Sequence, residues 1–322
     1  MTINLIYAAE PKFGGWVSFT EHLYNCLKSQ GHSVNLFVVG KKFSTVLQPY
    51  SGDVNCQKIT ADSVCELNGL KIITAIDKKT AQSFSRIPNK LSYVVHDPTE
   101  LTEDRMAFYR KASHVFGIRK NMIPVIKAKG INATYLPHPY CPINLKTKTR
   151  IRNAVCYSRI DWDKHTDIIC GANEILPSDK KCLIFGAENR MYAFHKLDNQ
   201  FSNWKNNYLG KFPKEPGAGA KIAATARFAV DMSAIKQDGA GSQYTFLEAW
   251  DAGTQLVVNK KWTQLDQGEM RSGFNCVSVS DSSELAGILT GDTDDKIIEN
   301  GRNSLKHHEP ENVEKALLSI LQ

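Results

Sequence analysis

Short apolar runs alternate with helix-forming stretches, and this alternation limits the possible folds more than any other feature of the chain. INLIYAA (3–9) has the length of a buried strand, and VSFTEHLYNCLKSQ (17–30) has helical spacing. Gly31 stands at a helix C-cap position. The helix is expected to bury Val17, Phe19, Leu23 and Leu27, and further strands are expected at 32–40, 70–76, 91–97 and 114–118. Such alternation predicts an α/β fold with a doubly wound parallel sheet.

A proline-rich segment interrupts this pattern. In YLPHPYCPINLKTKTR (135–150), three prolines hold the backbone extended and disfavour a helix. The alternation then resumes, with predicted strands at 154–160, 181–187, 208–210, 226–233 and 255–259 and a predicted helix at 165–176. We therefore expect two Rossmann-like domains, residues 1–140 and 151–302, with the active-site cleft between them. The amphipathic C-terminal helix, about 303–322, is expected to pack back on the first domain.

The composition argues against a membrane-spanning or zinc-cluster protein. Hydrophobic residues make up 42% and charged residues 23% of the chain, without an apolar run of about 18 residues. The N-terminus resembles a first strand more than a signal peptide, so we expect a cytoplasmic protein, in the host cytoplasm if it is viral. The eight cysteines include no CxxC pair, which favours reduced thiols. Neither DWD (161–163) nor DTDD (292–295) is expected to bind metal.

Positive charge is concentrated in the first half of the chain. Residues 1–150 contain 20 Lys and Arg against 10 Asp and Glu, a net charge of +10, whereas the remainder carries −3 of the overall +7. A basic domain suits an anionic partner such as nucleic acid or a membrane surface. Ordinary solvated lysines on helix faces are the alternative explanation.

Two candidate sites lie in the first half. Gly14 and Gly15 stand between the first strand and the first helix, where backbone N–H groups could approach a phosphate; a simple tight turn is the alternative. In YVVHDPTE, His96 and Asp97 end an apolar strand, and ligands bind at the carboxyl ends of strands in open α/β sheets. This pair could orient a hydroxyl or exchange a proton, or it could only cap the following helix.

The second half carries two cations at one strand end. In YSRIDWDKHT, Arg159 ends a predicted strand, and Lys164 follows near the start of a helix. A guanidinium and an ammonium beside a helix N-terminus suit a diphosphate. A purely structural role at the strand end is the alternative.

The stretch SQYTFLEAWDAGTQLVV (242–258) is a polar loop, a helix with one acid and a buried strand. Ser242, Gln243, Tyr244 and Thr245 are expected to form the helix start with its free N–H donors. Glu248, one turn further, could accept hydrogen bonds from a ribose diol, while the helix N-terminus holds phosphates. A local salt bridge or cap is the ordinary alternative for this acid.

Together these motifs resemble glycosyltransferases of the GT-B fold, close to the large retaining family 4. GGWVSFTEHLYNCLKSQGHSVNLFVV is similar to that family's opening loop, first helix and second strand. YSRIDWDKH resembles its diphosphate motif, and FLEAWDAGTQLVV resembles its Glu-containing segment. The resemblance covers nearly the whole chain. It implies a UDP-sugar donor, transfer with retention, and no metal requirement.

Within that group, VVHDPTE and QYTFLEAWDAGT look like segments of the phage DNA α-glucosyltransferases. This likeness implies transfer of a sugar from a UDP-sugar to a hydroxymethylated pyrimidine such as hydroxymethylcytosine in duplex DNA, by a monomer. His96 and Asp97 would then lie beside the transferred sugar. Arg159 and Lys164 would hold the diphosphate and Glu248 the ribose. The chain departs from the family 4 pattern at Gly241, where a second acid is usual, so the donor sugar (hexose or pentose) stays open.

The basic first domain would bind the acceptor. Candidate phosphate contacts are Lys41, Lys42, Lys78, Lys79, Arg119, Lys120 and the stretch 146–152. A target base in duplex DNA would have to be flipped out of the helix.

Two other functions compete with this hypothesis. A bacterial glycosyltransferase that builds lipid-linked polysaccharide at a membrane surface would also use a basic domain, with RKNMIPVIKAKG as the nearest candidate for a membrane-facing helix. A non-catalytic nucleotide-binding module is less consistent with the intact Arg159, Lys164 and Glu248.

Overall fold

The computed structural model describes residues 1–9, 15–39, 56–84, 86–87, 91–143, 145, 150–213, 215, 217–233, 242–265 and 268–321. The chain divides into two compact units. Met1–Cys141 and His307–Gln322 form the first, and Pro142–Lys306 forms the second. Each unit is built around its own parallel sheet.

A seven-stranded sheet forms the centre of the first unit. Its strands are β1 (Thr2–Ala8), β2 (Ser33–Val39), β3 (Cys56–Ile59), β4 (Leu70–Ile76), β5 (Ser92–Val95), β6 (His114–Gly117) and β7 (Ala133–Tyr135). Their order is β3-β2-β1-β4-β5-β6-β7, and each neighbouring pair is parallel. The order changes direction at β1, so the switch point lies between β1 and β4. The two edge strands, β3 and β7, were not predicted.

Helices pack against this sheet. They are α1 (Gly15–Ser29), α2 (Lys78–Phe84), α3 (Glu103–Tyr109) and α4 (Met122–Ala128). The inward face of α1 contains Val17, Phe19, Leu23 and Leu27, as the helical spacing predicts. After α1 the chain turns at Gly31 with a positive φ of 81°, a conformation that favours glycine.

The second unit contains a five-stranded parallel sheet. Its strands are β8 (Arg152–Tyr157), β9 (Cys182–Phe185), β10 (Ala226–Asp231), β11 (Gln255–Asn259) and β12 (Val277–Val279). The order β12-β11-β10-β8-β9 places the switch point between β8 and β10. Both units therefore confirm the predicted doubly wound parallel architecture.

The predicted strand at 208–210 is reduced to an isolated bridge. Tyr208 makes only an isolated bridge to Ile184, and the chain turns at Gly210 with a φ of 85°. The ring of Tyr208 packs 5.5 Å from that of Trp204, and its hydroxyl donates to the carbonyl oxygen of Gly186 at 2.8 Å. The backbone still runs beside β9 there, because the N–H of Leu209 donates to the Ile184 carbonyl oxygen at 2.8 Å and the N–H of Gly186 donates to the Gly210 carbonyl oxygen at 2.9 Å.

The helices of the second unit are α5 (Thr166–Ile175), α6 (Arg190–Tyr192), α7 (Asp198–Gln200), α8 (Ala218–Ala224), α9 (Tyr244–Ala252), α10 (Ser282–Thr290) and α11 (Asp295–Leu305). Gln243 is extended and directly precedes α9. Gly253 ends α9 in the left-handed conformation, with a φ of 59°. This C-cap explains the abrupt passage from the helix into the buried strand β11.

The C-terminal helix α12 (Pro310–Leu318) belongs to the first unit, where it packs against α1. Val313 and Leu317 are buried there, and Glu314 Oε1 lies 2.5 Å from His32 Nε2. The chain thus leaves the first unit after Cys141 and returns to it at His307. Among the described residues, no helix has the length and apolar character needed to cross a membrane.

Candidate functional site

The switch point of the second sheet brings together three segments through one lysine. Lys164 ends the short turn Trp162–Lys164 that follows β8. Its Nζ donates to Ser233 Oγ at 2.8 Å and to Gln243 Oε1 at 3.0 Å. Ser233 follows β10, and Gln243 precedes α9. The ammonium group therefore lies beside the N-terminus of α9, at the carboxyl end of the sheet where α/β proteins bind ligands.

A buried carboxylate supports this arrangement, and it was missed from the sequence. Asp231, at the end of β10, accepts hydrogen bonds from the backbone N–H (2.9 Å) and hydroxyl of Ser233 and from Thr245 Oγ1 at 2.5 Å. The hydroxyl of Tyr157 donates to the Thr245 carbonyl oxygen at 2.7 Å. These bonds join β8 and β10 to the first turn of α9. The available signal was an acid that ends the apolar run ARFAVD, since buried carboxylates need such partners.

Glu248 lies in the second turn of α9 and is partly buried. Its carboxyl group fills the space beside Gly219 of α8, where an added Cβ would overlap it. Burial raises the pKa of Glu248 from 4.5 to about 8, and the nearby charge of Asp251 adds to the effect. No hydrogen bond reaches this carboxyl group from the part of the chain that the structure describes. It is therefore available to a ligand as a hydrogen-bonding group.

Arg159 lies on the same loop as Lys164, but its guanidinium has local partners. Nη1 is 2.9 Å from Asp161 Oδ2, and Nη2 is 3.4 Å from Asp163 Oδ2. The side chain is 53% exposed, so it could exchange these partners for a ligand at modest cost. Asp161 also caps the turn by accepting the N–H of Trp162 at 2.8 Å. The two acids of DWD thus serve the loop, and the described residues contain no cluster suited to a metal ion.

His96 follows β5 and is buried beside the switch point of the first sheet. Its Nε2 lies 2.7 Å from the carbonyl oxygen of Thr74, which can only accept, so Nε2 carries the proton. Burial lowers the pKa of His96 from 6.5 to about 4. The imidazole is therefore neutral near pH 7, with Nδ1 as its acceptor atom. This state suits hydrogen bonding better than proton exchange.

Asp97 adopts the capping arrangement. Its Oδ1 accepts hydrogen bonds from the backbone N–H of Thr99 at 2.7 Å and from the Thr99 hydroxyl. It thereby caps the short helix Pro98–Glu100. The carboxylate is partly exposed, so capping does not enclose it.

The basic residues predicted to contact nucleic acid occupy different environments. Arg119 is partly buried, and its Nε donates to the carbonyl oxygen of His96 at 3.3 Å, so it supports the His96 loop. Lys120 is exposed, with Nζ 5.4 Å from the centre of the Tyr135 ring. Lys78 is exposed at the start of α2. Arg150 was predicted to contact the acceptor with the first domain, but it belongs to the second unit. There it donates to the Gly253 carbonyl oxygen at 2.7 Å.

Several predicted residues lie outside the described residues: Gly14, Lys41, Lys42, Gly241 and the stretch 146–149. Gly15 begins α1, and no described atom lies within 4 Å of a Cβ built on it. The described surroundings of Gly15 therefore contain no steric reason for a glycine. The structure brings Lys164, Gln243 and Thr245 into one hydrogen-bonded network. Ser242, which directly precedes Gln243, is buried.

Comparisons with known proteins show the fold. No family model matches the chain, and no curated protein does. Solved structures do match over nearly the full length. Anabaena HepE in complex with UDP-glucose has a TM-score of 0.73 and 15% identity, with 99% of each chain covered. An alpha-glucosyltransferase in complex with UDP-glucose and DNA containing an abasic site has a TM-score of 0.73 and 14% identity, with 100% of both chains covered.

The pneumococcal O-GlcNAc transferase GtfA, in complex with UDP and GlcNAc, has a TM-score of 0.71 and 9% identity, with coverage of 100% of this chain and 98% of GtfA. At these identities the likeness is one of fold. The two parallel sheets and the full-length matches confirm the predicted fold class, GT-B with two Rossmann-like halves.

Proposed function

We propose that the chain is a UDP-sugar-dependent glycosyltransferase that modifies a hydroxymethylated pyrimidine in duplex DNA, with retention at the sugar. The observation that carries the proposal is the position of Lys164, whose ammonium lies between Ser233 and Gln243 beside the N-terminus of α9. An ammonium and a helix N-terminus together attract a diphosphate. The three similar structures described above contain UDP or UDP-glucose, which supports a nucleotide-sugar donor.

In this proposal the second unit binds the donor. Lys164, Arg159 and the first turn of α9 contact the diphosphate, and they stabilise the negative charge that develops as the UDP leaves. Glu248 hydrogen-bonds the ribose diol. Arg159 must exchange Asp161 and Asp163 for phosphate oxygens to take part. These cations provide the charge stabilisation, so the proposed reaction needs no metal.

The first unit binds the acceptor and borders the transferred sugar. Neutral His96 accepts a hydrogen bond from a sugar hydroxyl at Nδ1. It does not take up the proton of the acceptor hydroxyl. Asp97 positions the acceptor or stabilises the oxocarbenium-like centre. The leaving phosphate oxygen takes the proton of the acceptor hydroxyl. This mechanism requires His96 and Asp97 to face the donor when both substrates are bound.

The choice of DNA as the acceptor rests on charge and on one similar structure. The first half of the sequence has a net charge of +10, which suits the phosphate backbone. The alpha-glucosyltransferase of similar fold was solved with DNA. The proposed nucleic-acid contacts are Lys41, Lys42, Arg119 and Lys120. Of the two that the structure describes, Lys120 is exposed and Arg119 is partly buried. We propose a monomer in which the flipped base enters the site.

A donor screen tests both halves of the proposal. The protein is incubated with UDP-hexoses and UDP-pentoses and with hydroxymethylated duplex DNA, and the digested nucleosides are analysed by mass spectrometry. We expect a mass increase of one sugar on the hydroxymethylated pyrimidine, none on unmodified DNA, and loss of transfer in K164A. Transfer to lipid-linked glycans with none to DNA would overturn the proposal that DNA is the acceptor. The assignment as a glycosyltransferase would stand. Failure to bind or consume any nucleotide sugar would overturn both.

A further inference from the structure

Two thiols lie side by side at the point where the chain leaves the first unit. The Sγ of Cys26 in α1 is 3.4 Å from the Sγ of Cys141, although 115 positions separate the two residues. Cys141 is the last residue of the first unit before Pro142. A disulfide bond is about 2.05 Å long, so a small side-chain movement would join the two sulfurs.

The two cysteines have different chemical environments. Cys26 is fully buried, whereas Cys141 is partly exposed. The hydrogen bond from the Cys26 thiol lowers the pKa of Cys141, and the neighbouring His22 lowers it further. The same hydrogen bond and burial raise the pKa of Cys26. Cys141 is therefore the accessible nucleophile of the pair, and Cys26 is the internal thiol that can attack a disulfide formed on it.

His22 holds the segment around Cys141 in place. It lies one helical turn before Cys26 on α1, and its Nδ1 accepts the backbone N–H of Cys141 at 3.3 Å. Its ring stacks on Tyr140, with 4.9 Å between the ring centres. His22 thus holds Cys141 near Cys26 through contacts with Cys141 itself and with the preceding Tyr140.

Both connections between the units pass through this region. The backbone N–H of Tyr140, next to Cys141, donates to the carbonyl oxygen of His308 at 2.8 Å. The Nδ1 of His308 donates in turn to the His138 carbonyl oxygen at 2.9 Å. His308 lies on the returning connection, where the chain re-enters the first unit. A covalent bond at Cys141 would therefore restrain the outgoing chain where it is hydrogen-bonded to the returning chain.

We propose that Cys26 and Cys141 form a reversible disulfide, driven by a low-molecular-weight disulfide such as oxidised glutathione, that ties the outgoing connection to α1. The Cys141 thiolate attacks one sulfur of oxidised glutathione and releases one glutathione thiolate. The Cys26 sulfur then attacks the Cys141 sulfur, and the second glutathione leaves as a thiol with the proton of Cys26. Two protein thiols are oxidised and one glutathione disulfide is reduced. This modification is independent of the proposed function.

The test uses the full chain incubated with oxidised glutathione, alkylated and digested with trypsin without reduction. We expect a linked pair of peptides, residues 13–28 and 130–146, which separates after dithiothreitol treatment. In C26S, Cys141 should stop at the glutathione adduct. C65S, which removes an exposed cysteine of the same unit, should leave the link unchanged. Circular dichroism melts establish that each variant is folded.

Failure to form the link in the folded wild-type protein would overturn the proposal, whether Cys141 stays a free thiol or remains as a glutathione adduct. Linkage of either residue to a different cysteine would also overturn it.

Discussion

The Nζ of Lys164 lies 3.0 Å from the Oε1 of Gln243, although 79 positions separate these residues. Gln243 directly precedes α9, so the contact places a positive charge at the positive end of a helix. The ammonium and the positive end of the helix repel each other, and an anion bound between them would be stabilised by both. In the structure the neutral oxygens of Gln243 and Ser233 accept hydrogen bonds from the ammonium.

Replacement of Lys164 by methionine should weaken UDP binding while the protein remains folded. The change removes the charge-assisted hydrogen bond to phosphate that we propose for Lys164, and such a loss corresponds to roughly 10- to 100-fold in Kd. Isothermal titration calorimetry measures the affinity. The control is K296M, which removes an exposed lysine from α11 of the same unit. Equal UDP affinity in K164M and the wild type would remove Lys164 from the diphosphate site.

The G219A variant tests Glu248 without removing its carboxyl group. An alanine Cβ at this position overlaps that group, whose flexible side chain must move. Alanine also stabilises a helix relative to glycine by about 0.5–1 kcal/mol. We therefore expect UDP affinity to fall, as in E248A, with no loss in the free energy of unfolding.

The matched control for this variant is G287A. Gly287 lies inside α10, and no described atom lies within 4 Å of a Cβ built on it. This change should give the gain in stability and leave UDP binding unaltered. Unchanged UDP binding in G219A as well would argue against a contact between Glu248 and the ribose.

The stability of E248Q relative to the wild type should depend on pH. Burial raises the pKa of Glu248 from 4.5 to about 8, so the unfolded chain releases this proton at a lower pH than the folded chain. The contribution of Glu248 is therefore fully present below pH 4.5 and is lost as the pH rises to about 8. Glutamine does not titrate, so the stability of E248Q minus that of the wild type should increase across this window.

Urea unfolding at several pH values measures this difference. Glu21 and Glu100 also have pKa values raised by burial, to about 9 and about 8, and they affect both proteins alike. E299Q, which removes an exposed carboxylate from α11, serves as the control. A difference between E248Q and the wild type that stays flat would show that Glu248 is as well hydrated as in the unfolded chain.

Loss of the Asp231 carboxylate should destabilise the second unit. D231A leaves the backbone N–H of Ser233 and the hydroxyl of Thr245 without their acceptor, which costs about 1–3 kcal/mol. D292A is the matched control, since fully exposed Asp292 pairs with Arg227 at 2.9 Å in an ion pair that solvent screens. Denaturant unfolding compares the two variants. Equal losses would mean that the Asp231 network is no stronger than a surface ion pair.

Local patterns in the sequence were sufficient for most of the secondary structure. The α1 core face, the Gly31 turn and the strands on either side of it follow from apolar spacing and glycine chemistry. The unpredicted strands β3, β7 and β12 are short edge strands with partly exposed residues. A period of two is hard to recognise over three or four residues, and at 208–210 the chain forms only an isolated bridge beside β9.

The residue types of the candidate site were visible in the sequence, but their relationships were not. Lys164 and Gln243 stood out because each lies near a strand end or a helix start. The contacts of Lys164 with Ser233 and Gln243, the buried Asp231 network and the proximity of Glu248 to Gly219 depend on the order of β8, β10 and α9 in space. That order is set by long-range strand pairing and burial, which leave no local periodicity. The sequence therefore indicates which groups are present, and only the tertiary structure decides which of them meet and how burial alters their pKa values.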